Sequence, residues 1–306
     1  MVSASGDFLV SDASRGMVQV FNRNGELVRM IGRKGRGPGE LTFPASLALI
    51  GDTLLAVLDF AASRIAFFDA GAGNFRRFVT LPVRFWGLSS VGDTLYGGVG
   101  LTEGGSVRGI SSSGVDVFAA GPIPSLFQRV PAAAAIFGQM EALVLGDSLI
   151  TAFEVSDAVC ITSLKTAEQD SIRLPVVNRR GVQHRLLDAI RAEDPAVAQR
   201  AVYQSSMPIG LATIPGDKLL VLTLDPEYAT SRLTGRVFAS VIDLSSRRVC
   251  ADERLDVATD PLPRFSVRGD TIFALIQEVG ADSLPRSKVR MLRLDLQHCE
   301  WRPSRG

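Results

Sequence analysis

A Gly-Asp pair recurs six times in the 306-residue chain, at Gly6-Asp7, Gly51-Asp52, Gly92-Asp93, Gly146-Asp147, Gly216-Asp217 and Gly269-Asp270. The intervals between copies are 45, 41, 54, 70 and 53 residues. Self-similarity on this scale marks a repeat architecture, in which one supersecondary unit is copied along the chain. Each pair lies between two short apolar runs. Leu47-Ala48-Leu49-Ile50 precedes Gly51 and Leu54-Leu55-Ala56-Val57-Leu58 follows it. Leu143-Val144-Leu145 and Leu149-Ile150 flank Gly146, and Phe265-Ser266-Val267 and Ile272-Phe273-Ala274 flank Gly269. A tight Gly-Asp turn between apolar runs reads as a β-hairpin. The runs are nearly continuous rather than alternating, the pattern of strands covered on both faces.

A third and a fourth strand complete each unit. Residues 18–21 lead through Asn22-Arg23-Asn24-Gly25 to 26–30, and residues 64–69 lead past Gly71 and Gly73 to 75–78. The fourth strands carry more charge, as outer edges that must avoid pairing with other chains do. Four antiparallel strands repeated six times predict an all-β fold: a six-bladed β-propeller occupying residues 1–306 as one domain. Residues 265–267, 271–277, 288–296 and 299–301 would build the sixth blade from the C-terminus alone. Val2 to Ser5 would complete the first.

Two segments make a family resemblance specific. Leu9-Val10-Ser11-Asp12-Ala13-Ser14-Arg15-Gly16-Met17-Val18-Gln19-Val20-Phe21 resembles the core of the NHL repeat, as does Ala56-Val57-Leu58-Asp59 followed by Ser63-Arg64-Ile65-Ala66-Phe67-Phe68-Asp69. Between them, Gly32-Arg33-Lys34-Gly35-Arg36-Gly37-Pro38-Gly39-Glu40-Leu41-Thr42-Phe43-Pro44 is similar to the linker joining two NHL blades. The match covers residues 6 to about 80; the other four units keep the Gly-Asp hairpin and lose the Asp-to-Arg signature. The resemblance is to bacterial NHL-like six-bladed propellers. It implies that Asp12 pairs with Arg15 and Asp59 with Arg64, each bracing its own loop. As exposed pairs these would be worth ~0–1 kcal/mol.

The longest interval holds an insertion. Over about residues 182–204 the pattern turns helical, with one apolar stripe at Leu186, Leu187 and Ile190 and another at Val197, Ala201 and Val202. Asp194-Pro195 between them reads as an N-cap and first helical residue. Two short helices between blades four and five are therefore expected.

Composition limits the chemistry. Lys+Arg 33 against Asp+Glu 32 leaves a formal charge of +1, so no global field points to nucleic acid. No apolar run approaches the ~20 residues of a membrane-crossing helix. With two histidines, His184 and His298, the chain lacks the set for a three-histidine zinc site. No Gly-x-Ser-x-Gly elbow is present. Cys160 lies in an apolar strand, where cysteine acts as a small buried hydrophobe. Cys250 and Cys299 fall near the outer strands of the last two blades. Such strands diverge, which argues against the ~6 Å Cα spacing of a disulfide.

In a propeller, the inter-blade linkers and the loops from second to third strand emerge on one face, at the channel mouth. The candidate binding residues sought there are Arg33, Lys34, Arg36, Arg84, Trp86, Glu141, Asp225, Glu227 and Arg264. Arg33, Lys34 and Arg36 share the Gly-rich linker, and Arg84-Phe85-Trp86 adds a cation and aromatics at the next junction. Glu141 and Arg264 fall where inner strands meet the channel, along with Ser46, Gly87 and Leu211. Asp225 and Glu227, like Glu154 and Asp157, are assigned to second-to-third-strand loops. No catalytic residue, metal ligand or cofactor is assigned.

These features favour a non-enzymatic binding or scaffolding propeller, monomeric, presenting its loop face to a protein, peptide or glycan. The alternative is a lactonase- or lyase-type enzyme with a channel cation held by Glu141 and loop carboxylates. RNA binding, implied by animal NHL domains, ranks below both because the charge is balanced. The bacterial resemblance implies a periplasmic or extracellular protein if an N-terminal signal precedes Met1.

Overall fold

The apolar runs form the inner strands of antiparallel sheets that follow one another along the chain. The structure, a computed structural model, describes residues 1–102, 104–130, 140–192, 197, 201, 204–229, 232–257, 264–279 and 285–304. It divides into two compact units, Met1–Gly121 and Pro122–Gly306.

The first unit contains three blade sheets. β1 (Phe8–Asp12), β2 (Met17–Phe21) and β3 (Leu27–Ile31) form the first, three strands wide. Two short segments, β4 (Arg33–Lys34) and β5 (Glu40–Leu41), pair in parallel within the linker. β6 (Pro44–Ile50), β7 (Leu54–Asp59), β8 (Arg64–Asp69) and β9 (Phe75–Thr80) form the second sheet. β10 (Ser89–Val91), β11 (Thr94–Thr102), β12 (Gly105–Ser111) and β13 (Asp116–Ala120) form the third.

The second unit opens with a short helix, α1 (Ser125–Arg129), that the sequence pattern did not suggest. β14 (Met140–Leu145), β15 (Ser148–Phe153), β16 (Ala158–Ser163) and β17 (Gln169–Arg173) follow as a four-stranded sheet. After α2 (His184–Arg191) comes a sheet of β18 (Met207–Ile214), β19 (Lys218–Ala229), β20 (Arg232–Asp243) and β21 (Arg248–Leu255). β22 (Arg264–Arg268), β23 (Thr271–Val279) and β24 (Pro285–Arg293) form the last sheet, and β25 (Trp301–Pro303) ends the described chain.

The Gly-Asp pairs at 51, 92, 146, 216 and 269 turn hairpins as the repeat predicts, while Gly6-Asp7 follows a turn at residues 4–5 and leads into β1. Val91 pairs with Thr94 and Leu145 with Ser148, leaving Gly92-Asp93 and Gly146-Asp147 as two-residue loops. Gly92 and Gly146 take φ of 56° and 57°, the positive value that the first loop position of a type II′ turn requires.

β7 shows why its run is continuous. Leu55 and Val57 join Leu9, Val18, Val20 and Ile31 of the first sheet in one core, while Ala56 and Leu58 pack with Phe85, Leu88 and Leu95 of the third blade. Alternate side chains point to opposite faces, and here both faces are dry. β8 repeats the division, Ala66 and Phe68 on one side, Ile65 and Phe67 on the other. In the second unit β19 does the same, with Leu219 and Val221 toward the fourth sheet and Leu220, Leu222 and Leu224 toward the sixth.

Four expectations need correction. β25 does not complete the sixth sheet; Cys250 lies opposite Trp301 because the C-terminal strand pairs with β21 of the fifth. That crossing brings Cys250 and Cys299 to a Cα separation of 5.8 Å, and they form a disulfide. The divergence argument failed because it assumed that Cys299 stayed on the sixth blade. Near the N-terminus, Val2 makes only an isolated bridge to Phe8 rather than a strand. Finally, Asp225 and Glu227 are strand residues, opposite Arg236 and Thr234 in a β19–β20 hairpin paired as far as Ala229 and Arg232. The hairpin is longer than those that set the expected strand length.

Of the two inserted helices, α2 is present, with Leu186 and Ile190 buried and His184 exposed. The break at Asp194-Pro195 lies outside the described residues. No described helix is long and apolar enough to cross a membrane.

Candidate functional site

In the first unit the site is built by the Gly-rich linker and the acid that holds it. Asp59, at the end of β7, is fully buried. Its carboxylate accepts the backbone N–H of Thr42 at 3.1 Å and of Phe43 at 2.8 Å. Arg64 opens β8 directly opposite Asp59 and donates to it at 3.1 Å. Its other two nitrogens donate to the carbonyls of Arg36 at 3.0 Å and Glu40 at 2.8 Å. The Asp59–Arg64 pair is thus buried rather than exposed, and it braces the preceding linker rather than its own loop. Asp12 and Arg15, 3.6 Å apart, form the expected exposed pair.

This clamp fixes where Phe43 emerges. The Phe43 carbonyl accepts the Phe60 N–H at 3.0 Å, which docks the linker on the turn between β7 and β8. The Phe43 and Phe60 rings are 6.4 Å apart and tilted, and Phe60 lies 5.6 Å from Trp86. The Arg84 guanidinium sits 4.9 Å over the Phe60 ring. Trp86 is held by its backbone, donating to the Gly98 carbonyl at 2.9 Å. Phe43 remains 47% and Trp86 37% exposed, so the row faces solvent instead of closing into the core. Two linkers and one second-to-third-strand turn supply its members.

Of the residues singled out from sequence, Arg84 and Trp86 come together here. Phe43 and Phe60 were missed, since each stands alone in its segment and phenylalanine is by default a core residue. The other basic residues serve the linker. Arg33 pairs with Glu40 at 3.0 Å, and Lys34 donates to the Ser14 carbonyl at 2.9 Å. The exposed Arg36 lends its carbonyl to Arg64. Glu40 also accepts the Gly37 N–H at 2.9 Å, and that bond, with Arg33 beside it, holds its carboxyl below the usual range.

The second unit holds its linker with reversed polarity. Arg179, on the segment after β17, is buried and donates to Asp252 at 2.8 Å and to Asp157. Asp252 takes the Val177 N–H at 2.7 Å, and Asp157 the Val182 N–H at 2.8 Å. Asp225, fully buried, accepts the Arg180 N–H at 2.8 Å and the Ser206 hydroxyl. Glu227 is exposed and pairs with Arg236 at 3.3 Å. Asp225 and Glu227 are therefore committed to ion pairs and linker support. Arg179, Arg180 and Asp252 had no motif to announce them.

Glu141 and Arg264 occupy another part of the second unit. Glu141, half-buried on β14, lines a cavity of about 240 Å³ with residues of β18, β19 and β22. Burial pushes its carboxyl up to about 7, against a smaller downward pull from Arg264. Among the described residues, no three histidine, cysteine, aspartate or glutamate side chains stand close enough to share a metal ion. His298, exposed, pairs with Asp295 at 2.6 Å, and that bond raises its pKa. Cys160 is half-buried with a free thiol pushed up by burial.

Residues 2–94 match the model of the DUF5128 family, described as a 6-bladed beta-propeller. A comparison with curated proteins finds no match. Among solved structures, a member of the DUF4221 family from Bacteroides vulgatus aligns with a TM-score of 0.61 at 8% identity, over 96% of this chain and 94% of that one. A putative exported protein from Bacteroides fragilis aligns with a TM-score of 0.59 at 16% identity, over 90% of this chain and 78% of that one. Kuenenia stuttgartiensis hydrazine synthase aligns with a TM-score of 0.53 at 12% identity, over 89% of this chain and 71% of that one. At such identities the likeness concerns the fold alone. The fold class is a six-bladed β-propeller of mostly four-stranded antiparallel sheets with few helices.

Proposed function

We propose that this chain is a binding propeller of the NHL-like kind, a single domain over residues 1–306, and that it engages a protein, peptide or glycan through its linker face. The observation that carries the reading is the solvent-facing row of Phe43, Phe60 and Trp86 with Arg84 over its centre. Aromatic rings and arginine on a rigid base are the residue types that anchor interfaces. The base is rigid here because the buried Asp59–Arg64 clamp and backbone hydrogen bonds, not the rings themselves, set the positions of Phe43 and Phe60. The Asp-to-Arg clamp and Gly-rich linker also support the NHL likeness. The metal-dependent alternative has less behind it, since Asp225 and Glu227 are engaged elsewhere. The Cys250–Cys299 disulfide favours an oxidising compartment, in keeping with export.

Peptide and glycan arrays probed with the wild-type protein and with Trp86→Ala and Arg84→Ala test the reading. Ligands that the wild type retains should be lost by both variants while their unfolding curves stay unchanged. Ligands retained equally by all three proteins would place binding elsewhere.

A further inference from the structure

The cavity beside Glu141 lies in the second unit, and it carries an inference independent of the aromatic row. Its volume of about 240 Å³ exceeds the share of one water, about 30 Å³, several-fold. The walls come from β14, β18 and β22, the first strands of three successive sheets, with Leu220 and Leu222 of β19 behind them. Ile209, Leu211, Phe265 and Val267 form the apolar part of a lining that is otherwise polar, and Glu141 is its one charged residue. The Glu141 backbone pairs with β15, but no hydrogen bond or close ion pair joins its side chain to another described residue. Asp59, Asp225 and Asp252, the other inward-facing acids discussed above, all have several donors.

A half-buried carboxylate in such a wall has lost part of its hydration without gaining a partner, and a cation that enters the cavity restores the balance. The choice of cation follows from the donors available. Calcium takes six to eight oxygen ligands, preferably including several carboxylates. An ammonium group needs one counter-ion, and it can give its remaining protons to a hydroxyl or carbonyl, such as the Ser266 side chain in the lining. An aliphatic stem on that ammonium would find Ile209 and Leu211 beside it. We propose that the cavity walled by β14, β18 and β22 binds a primary ammonium group carried on an aliphatic stem, with Glu141 as the counter-ion.

Arg264, exposed at the start of β22, is the charged group that acts on Glu141; β18 brings no charged side chain, and the other residues of β14 are uncharged. Arg264 therefore opposes the incoming cation. Because burial holds Glu141 near 7, binding should also strengthen from mildly acid to mildly alkaline pH.

The test is a titration of the intact protein with n-butylammonium at about pH 8, followed by NMR, with n-butanol as the uncharged control. Saturable binding of the amine is expected, with the alcohol about tenfold weaker, the fold-change of one charge-assisted contact. Glu141→Gln should remove that advantage and leave the alcohol unaffected. Arg264→Gln should tighten amine binding severalfold by removing a like charge. This second variant keeps the proposal open to refutation should Glu141→Gln fail to fold. A parallel arm with Nα-acetyl-lysine N-methylamide separates sources: binding equal to the amine assigns a peptide-borne lysine, and binding of the free amine alone assigns a small amine. Absence of saturable binding, equal binding of alcohol and amine, an unaltered Glu141→Gln, or weaker binding by Arg264→Gln would each overturn it.

Discussion

Two linkers, one in each unit, solve the same problem in opposite ways. A segment passing between blades joins no blade ladder, so most of its backbone groups need other partners. In the first unit the blade supplies both partners, Asp59 for the linker N–H groups and Arg64 for its carbonyls. In the second unit the linker brings its own arginine, Arg179, and the blades answer with Asp157 and Asp252. The first arrangement is a local clamp, five residues from acid to base. The second ties together positions 22 and 73 residues apart. A clamp within one hairpin can be lost and leave its sheet intact. A tie between two sheets has no such redundancy.

Arginine removal tests that difference most directly. Arg179→Met should take the counter-charge from two carboxylates, one of them the fully buried Asp252, which is left with its backbone and Ser240 donors, and cost about 4–5 kcal/mol. Arg64→Met takes it from one, Asp59, which likewise keeps two backbone donors, and should cost about 3 kcal/mol. Urea unfolding of the two variants gives the comparison. Equal losses, or a larger loss at Arg64, would mean that separation along the chain does not decide how much a linker depends on its arginine.

The disulfide extends the contrast to the C-terminus. β25 adds a fifth strand to the sheet that also supplies Asp252, and the Cys250–Cys299 bond closes a 49-residue separation. Chain-entropy arithmetic for a loop of that length gives about 4 kcal/mol. Cys250→Ser with Cys299→Ser should lose about that much, and reductant should destabilise the wild type but not the double variant. The first unit contains no cysteine and should be insensitive. Protease sensitivity appearing in β1 to β13 on reduction would contradict this.

What could be read in advance follows the same division. The continuous apolar run at β7 announced a strand packed on both faces, because a period-two side-chain pattern leaves no other use for Leu55, Ala56, Val57 and Leu58 together. Asp59 and Arg64 were visible because the resemblance to NHL repeats carries that pair within one hairpin. That the pair was buried and served the preceding linker was not visible, since spacing does not say what lies above a turn. The tie of Arg179 to Asp157 and Asp252 was illegible, although Asp157 was placed in its loop, because nothing local connects residues on different blades. The disulfide was misread for a related reason: the destination of the last strand is a tertiary choice, and Trp301 pairs across a blade boundary. In the aromatic row, Arg84 and Trp86 were adjacent enough to notice. Phe43 and Phe60 joined them only once two linkers and a turn had folded against each other.

Glu141 provides a contrast within the second unit, an acid left without the donors that Asp225 and Asp252 enjoy. Its carboxyl sits at about 7 in the folded protein against an ordinary value of 4.5. Below 4.5 both states are protonated and nothing is lost. Between the two values the folded state binds more protons, so this group's contribution to stability falls as pH rises. Above 7 the full penalty applies, as much as about 3 kcal/mol. Glu141→Gln should therefore be near neutral at about pH 4 and stabilising at about pH 8. A Tm difference independent of pH, or of opposite sign, would mean that Glu141 has found a partner after all.

Glu40 offers the smallest effect and the sharpest check on the first linker. It is the one acid of the clamp region that faces solvent, taking the Gly37 N–H and the Arg33 guanidinium. Those two contacts depress its pKa, so its contribution is present above the ordinary carboxylate value and is lost as pH falls through the depressed one. Glu40→Gln should lower Tm slightly at neutral pH. The difference should vanish in acid, where the wild-type side chain is also neutral. It should shrink in high salt as well, because exposed charges are screened. The loss at Arg179→Met should persist in salt, because Arg179 and its partner Asp252 are buried. If the Glu40 effect instead exceeded that of Arg64→Met, the Gly-rich linker would be held from its wet side. Its buried acid would then be a passenger, and the two linkers would no longer be variants of one device.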